Sequence, residues 1–311
     1  MATQSDLDFT YTLIDRLFRL SIGETGDFSG AKYDGDFSLT LEQAQRRKHD
    51  FVWESLQLKP GQRVLDMGCG WGGLLRYLTN RGVQAVGVTL SRGQLAACRK
   101  NGLDAHLVDC RTITKDTFGP FDAVATMGAF EHFCSPEEYR AGRQNSRYRE
   151  VFHAAASVLP AGGRMYVQTM VFGRNWNADI GMDVHAPRMS DAWVLGLLAK
   201  QFPGSWLPAG SEQVERAAAG EFELLHKESG RLDYIETIAQ WRKRFGKLSA
   251  KKLLLYLTLV PRYLTHADFR LAFTSGVSPN TITFERELLD HFRMVFEKKD
   301  PARRRGDSNP R

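Results

Sequence analysis

Residues 63–73, RVLDMGCGWGG, constrain this chain more than any other stretch. A short apolar run stops on Gly68, Gly70, Gly72 and Gly73, and the helical segment LLRYLTNRG follows at once. Glycines in that place allow a tight turn and let a ligand approach the backbone, at the edge where open α/β sheets bind their ligands. Beyond it, QAVGVTL, AHLVD, FDAVATM and GRMYVQTMVF read as strands, separated by the helical SRGQLAACRKNG and YREVFHAAASVL. Strands alternating with helices at this spacing predict an α/β fold built on a parallel, doubly wound sheet over about 63–172.

The flanks read differently. Leu7, Tyr11, Ile14, Leu17, Phe18 and Leu20 recur at helical spacing, so an amphipathic helix is expected over Leu7–Leu20. Thr40 can cap a second helix over LEQAQRRKHDFVWESL, with Gln43 completing a capping box. After Asn175 the pattern changes: helical stretches and the turn-rich FPGSWLP, then the strand-like EFELLHKESG, then YIETIAQWRKRFGKL and KKLLLYLTLVPRYL at helical spacing. We expect this part to be a mostly helical lid inserted between late strands, with Phe269–Phe296 as the last helix or two. The expected organisation is a helical cap (1–58), a ligand-binding α/β core (59–174), a lid insertion with the remaining core elements (175–297) and a disordered basic tail (298–311).

Composition removes several classes. With 311 residues, 42% of them hydrophobic, the chain can bury a large core, yet it has no apolar run near the eighteen or so residues of a membrane span. Met1–Asp8 is polar and unlike a signal peptide, so a soluble, cytoplasmic protein is expected, at most peripheral to a membrane. Cys69, Cys98, Cys110 and Cys134 lack metal-ligand spacing, which implies reduced thiols and no metal site. The net charge of +6 sits in two clusters: Arg242–Lys252 has six basic residues and no acid, and Lys298–Arg311 has six basic and two acidic. No aromatic-interleaved basic stripe accompanies them, so nucleic acid is an unsupported partner. An anionic membrane surface or an acyl carrier fits the clusters better, beside the plain alternative of solvated charge.

The spacing Gly68-x-Gly70-x-Gly72-Gly73 misses the G-x-G-x-x-G of dinucleotide folds, and the second strand ends in Thr89-Leu90-Ser91 without an acid, which argues against NAD. The loop instead resembles the first motif of Rossmann-like methyltransferases that use S-adenosylmethionine (SAM). With GVTLSRGQ, MGAFEHF, TLEQAQRRK, FPGSWLP and DYIETIAQWRKRF added, Phe28–Phe245 resembles the cyclopropane fatty acid synthase and mycolic acid methyltransferase family. Asp66, just before the glycines, is of a kind that orders such loops rather than performs chemistry and is assigned to cofactor binding. The resemblance implies that Gly68 and Gly70 face SAM. It further implies that Thr89, Leu90 and Gln94 hold the ribose and adenosine side, that Cys110 and Arg111 lie beside the adenine, and that Met127 contributes a backbone amide. Cys110 replaces an aromatic residue usual in the family.

SAM carries an electrophilic methyl, and an alkene attacking it leaves a carbocation, so such a site must surround the cation with anionic or π-rich groups, exclude water and remove a proton. In the family a bicarbonate ion serves as that base. By resemblance Glu131 neighbours the anion and the cation, and Tyr234 of the lid hydrogen bonds the anion and offers its ring. His132, which follows Glu131, is expected to be an orienting or structural residue. Two positions depart from the family: Phe28-Ser29-Gly30-Ala31 stands where Y-S-C-A-Y is usual, and Val167-Gln168-Thr169 where L-H-T is usual. Gln168 can donate a hydrogen bond but cannot titrate. Two arrangements stay open: bicarbonate held by Glu131, Tyr234 and Gln168, or Glu131 itself taking the proton. The family's H-Y-D and N-D-F-Y blocks are absent, replaced by DFTYTLIDRLFRL.

The expected activity is SAM-dependent C-methylation of an unsaturated, lipid-like acceptor, ending in a cyclopropane, methyl branch or methylene. The alternative is N- or C-methylation of a non-lipid small molecule. A non-catalytic SAM-binding scaffold fits less well, because Glu131 and Tyr234 are both present.

Overall fold

A computed structural model of the chain describes residues 21–22, 26–275 and 278–300. The helix expected over Leu7–Leu20 lies outside them, as does 301–311 of the expected tail. Thr40 and Gln43 form the anticipated capping box at the start of α1 (Leu41–Ser55), which buries Leu41, Ala44, Gln45, Lys48, His49 and Val52. β1 (Arg63–Met67), α2 (Gly73–Thr79), β2 (Gln84–Thr89), α3 (Arg92–Lys100), β3 (Ala105–Leu107), β4 (Ala123–Met127), α4 (Gln144–Val158) and β5 (Arg164–Phe172) then follow the alternation read from the sequence.

These five strands are parallel, and the seven-stranded sheet has the order β3-β2-β1-β4-β5-β7-β6, where β6 is Phe222–Ser229 and β7 is Leu289–Lys298. The chain reverses direction of travel across the sheet between β1 and β4, so their carboxyl ends splay apart and open a crevice. Val64, Leu65, Val124, Val167 and Ala125 on the central strands are fully buried, as expected where both faces are covered.

The lid comes in two pieces. α5 (Asp191–Gln201) and α6 (Ser211–Ala218) separate β5 from β6, and α7 (Arg231–Gly246), α8 (Ala250–Thr265), α9 (Ala267–Ser275) and α10 (Ser278–Glu285) separate β6 from β7. The expectation of helix throughout Phe269–Phe296 is corrected here: its last eight residues, 289–296, belong to β7, inserted antiparallel between β5 and β6. Neighbours on both edges and layers on both faces leave Leu289–Lys298 without clean alternation, so its period does not announce a strand. Lys298 also belongs to this strand, and the Lys299 N–H donates to the Glu221 carbonyl at 2.9 Å, so the ordered chain extends past the expected boundary at 298.

A buried ionic cluster ties the lid to the sheet. Arg293 on β7 is 1% exposed and donates to the Ala31 carbonyl at 2.7 Å, to Asp233 of α7 at 2.9 Å and to Glu228 of β6 at 3.2 Å. Lys32 pairs with the same Glu228 at 2.7 Å, and Asp233 accepts from the Asp34 backbone N–H at 2.9 Å.

Candidate active site

The crevice at the β1/β4 reversal holds a chamber whose wall is built by the glycine loop. Gly68, Gly70 and Gly72 have φ of 91°, 54° and 80°, a region that only glycine enters without strain. A Cβ on Gly68 would lie 2.2 Å from that of Ala129, whereas one on Gly70 would meet nothing within 4 Å. Gly68 is therefore required by packing against the turn after β4, and Gly70 leaves its backbone open to a ligand.

Asp66, Gly68, Gly70, Thr89, Leu90, Gln94, Cys110 and Met127 all line this chamber. Asp66 is 2% exposed, and its Oδ1 carries no hydrogen bond among the described residues. Burial, and then the nearby Asp27 carboxylate, push its pKa up to about 7 against the pull of Lys48. A ligand bearing positive charge would relieve that cost. Thr89 donates its hydroxyl to Gln94 Oε1 at 2.8 Å, which holds the glutamine against the chamber rather than in solvent. Burial pushes the Cys110 thiol up to about 12, so it acts as an apolar wall. Arg111 is the exception among the expected residues: its guanidinium turns away to Asp109 at 2.8 Å and Glu150 at 3.4 Å, and it does not line the chamber. Asp109 lines it instead, together with Trp71 and Phe133.

A second chamber adjoins the first, and Phe28, Ser29, Gly128 and His132 belong to both walls. Most of its lining is apolar: Met170, Phe172 and Leu289 from the sheet, Leu195 and Leu198 from α5, and Met182, Phe202, Trp206 and Leu207 from the segments flanking α5. Its polar groups are few. Glu131, in the turn after β4, is 3% exposed; its Oε1 accepts from the Met170 N–H at 2.7 Å, and its Oε2 carries no hydrogen bond among the described residues. Burial pushes the Glu131 pKa up to about 7 despite the Met170 N–H. Tyr234, 7% exposed on α7, lines the same chamber. His132 shares a hydrogen bond of 2.6 Å with Ser205, fastening the FEH turn to the lid, and burial holds its pKa down to about 4.

Gln168 is not part of that lining. It is fully buried in β5, where its Nε2 donates to the Gly30 carbonyl at 2.8 Å and its Oε1 accepts from the Tyr166 hydroxyl at 2.9 Å. The expected catalytic trio is thus corrected: Glu131 and Tyr234 face one space, and Gln168 supports the wall behind it. The sequence reading also missed His291. It lies on β7, 2% exposed, lines the chamber and stacks on Tyr234 with ring centroids 4.9 Å apart and 5° between planes. Its segment had been read as helix, so no local signal could place it there.

Known proteins resemble this chain in sequence and in fold. The family model of mycolic acid cyclopropane synthetase matches residues 2–260. Cyclopropane mycolic acid synthase 3 of Mycobacterium tuberculosis is 32% identical over 242 residues, covering 74% of this chain and 78% of the relative. Hydroxymycolate synthase MmaA4 of the same organism is 31% identical over 244 residues, 76% of each chain. The solved structure of the M. tuberculosis cyclopropane synthase MmaA2 superposes with a TM-score of 0.75 at 25% identity, covering 96% of this chain and 99% of that one. That of mycolic acid cyclopropane synthase CmaA1, complexed with SAH and CTAB, gives the same values. With the glycine-walled chamber at the β1/β4 reversal and the adjoining apolar chamber, these matches show that the chain belongs to the mycolic acid cyclopropane synthetase family and is a SAM-dependent methyltransferase.

Proposed function

We propose that the protein methylates a carbon–carbon double bond in the acyl chain of a lipid. The observation that carries this reading is the second chamber, an apolar space whose few polar groups gather where it adjoins the first. Bound in the first chamber, SAM supplies a methyl group on a sulfonium. Asp66, Gly68, Gly70, Thr89, Leu90, Gln94, Cys110 and Met127 are the residues that would hold it, and the Asp66 carboxylate, whose Oδ1 carries no hydrogen bond among the described residues, suits a cationic ligand. Gly128 and Phe28, common to both walls, set the acceptor against the methyl and keep water from between them. The Glu131 carboxylate stabilises positive charge developing on the acceptor, in a dry site where such a charge acts strongly.

The acceptor would reach the protein from an anionic lipid surface. On α8, Leu253, Leu254, Leu257, Val260 and Leu264 share one helical face and are each 46–68% exposed. No Asp or Glu lies between Thr237 and Ala267, and Arg242, Lys243, Lys247 and Lys251 are exposed beside that face. An apolar helical face with a basic margin suits the headgroup boundary of a bilayer. The cluster is smaller than its sequence suggests, because Arg244 forms a two-pronged pair with Glu42 at 2.6 Å and Lys252 is buried, donating to the Arg244 and Phe245 carbonyls.

The test is purified protein with SAM and vesicles of monounsaturated anionic phospholipid, read by mass spectrometry. A gain of one methylene on the acyl chain supports the reading. Turnover of an amine with no acyl product would replace it by small-molecule methylation.

A further inference from the structure

The anion expected from the resemblance has no cradle in this protein. A Cβ on Gly30 would lie 2.6 Å from Tyr234 Cδ2 and 3.0 Å from His291 Cε1, so the two stacked rings fill the room beside that glycine. Both polar atoms of the Gln168 side chain are already engaged, with Gly30 and Tyr166. Of the three groups expected around a bicarbonate, Gln168 is turned into the wall, and the place beside Gly30 is taken by the stacked Tyr234 and His291 rings. Bicarbonate does not fit these residues, and the reaction needs another proton acceptor.

We propose that His291 is that acceptor, the base that takes the proton from the alkylated acyl chain. The inference rests on the acyl reading above. Its geometry follows from strand register. His291 on β7 pairs with Met170 on β5, so their side chains stand on the same face, and the Met170 N–H is the group that grips Glu131. The sheet thereby sets an imidazole and a carboxylate on one chamber from elements more than a hundred residues apart. His291 Nε2 lies on the Gly30 side of the ring, 3.1 Å from where a Cβ on that glycine would be, and Gly30 is part of the chamber wall. Nδ1 is buried with no hydrogen bond among the described residues.

The charged groups acting on this ring are Arg293 on its own strand and Lys48 of α1; Glu131, after β4, lines the same chamber, and the Tyr234 ring of α7 lies against its face. Burial first, then Arg293 and Lys48, hold the His291 pKa well below the ordinary value. A weak base suffices, because a hydrogen on the new methyl, in a 1,3 relation to the cationic carbon, is far more acidic than an imidazolium once its C–H pair can close the ring. Weak basicity also keeps the ring unprotonated at neutral pH and speeds its reset. Glu131 is less suited, since protonation would remove the negative charge facing the cation.

The step balances. The π pair of the acceptor forms a bond to the methyl carbon, and the sulfur keeps the pair of the S–C bond that breaks. His291 Nε2 takes one proton from that carbon, and the freed C–H pair closes the third side of a cyclopropane. The imidazolium returns its proton to water as product leaves, so alkene and SAM become cyclopropane, S-adenosylhomocysteine and a proton.

The experiment uses the full chain, SAM and monounsaturated phospholipid vesicles, in bicarbonate-depleted buffer and with bicarbonate restored. We expect equal wild-type turnover in the two buffers, and turnover at least about 100-fold lower in His291→Gln with SAM affinity kept within about twofold by calorimetry. NMR of protein labelled with ¹³C-histidine should show the His291 ring neutral at pH 6.5, where an ordinary imidazole is half protonated. The buffer comparison and the NMR need only wild-type protein, so they decide the matter even if the variant misfolds. Turnover that requires bicarbonate, a His291 ring protonated at pH 7, or a folded His291→Gln with wild-type turnover each overturns the inference and leaves the acyl reading standing. Absence of any acyl product from wild type removes the acyl reading, and the inference with it.

Discussion

Replacing Glu131 by glutamine tests the physical picture of the acceptor chamber through stability as well as activity. Burial lifts the Glu131 pKa from 4.5 to about 7, so folding favours the protonated carboxyl. The stabilisation linked to it is complete below about pH 4.5, where folded and unfolded chains are both protonated, and is lost as pH rises towards and through 7. Glutamine does not titrate. The free energy of unfolding of Glu131→Gln minus that of wild type should therefore rise by about 2.5 kcal/mol between pH 5 and pH 8, from linkage applied to that shift. Asp66 is also raised to about 7, but it is present in both proteins and cancels in the difference. The assay is urea denaturation of both proteins at the two pH values. Turnover should vanish in the variant while SAM affinity stays within about twofold, because Glu131 lines only the second chamber. A stability difference that does not change with pH would show that Glu131 is solvated, and wild-type turnover in the variant would remove it from the mechanism.

Asp66→Asn should flatten a pH dependence of cofactor binding. If the Asp66 carboxylate pairs a cationic ligand, wild-type affinity for SAM rises up to about tenfold from pH 6 to pH 8 by calorimetry, since a pKa near 7 leaves most of the group protonated at the lower value. An equal rise in the variant would exclude Asp66 as the titrating group. Gly30→Cys should cost about 1–3 kcal/mol by thermal or chemical denaturation, because its Cβ would meet the Tyr234 ring at 2.6 Å; an unchanged midpoint would mean that the lid yields freely. Arg293→Met should cost about 3–5 kcal/mol, since it leaves Asp233 and Glu228 short of a buried partner, and a near-neutral change would show the cluster to be hydrated. Leu254→Asp with Leu257→Asp should weaken sedimentation with anionic vesicles about tenfold or more without altering SAM affinity, and undiminished binding would place the lipid contact elsewhere.

Much of the cofactor side could be read directly from the chain. The run at 63–73 combines a buried strand, three glycines at positive φ and a helix start within eleven residues, so its meaning is local and survives without tertiary context. The capping box at Thr40 was legible for the same reason. Arg111 was misplaced because Asp109, two residues before it, competes for its guanidinium at 2.8 Å, and an ion pair of that kind outweighs the orientation that a motif suggests.

The acceptor side depended on pairings that no local pattern carries. Whether Gln168 faces the chamber is decided by its hydrogen bonds to Gly30 and Tyr166, and whether His291 does is decided by its register opposite Met170. A one-residue slip in that register would turn His291 to the other face of the sheet. The sequence by itself determined a parallel sheet with a glycine loop for a cofactor, because period and turn chemistry act over a few residues. Only the tertiary structure decided which titratable groups meet the acceptor, because strand pairing and lid packing join segments that are far apart in the chain.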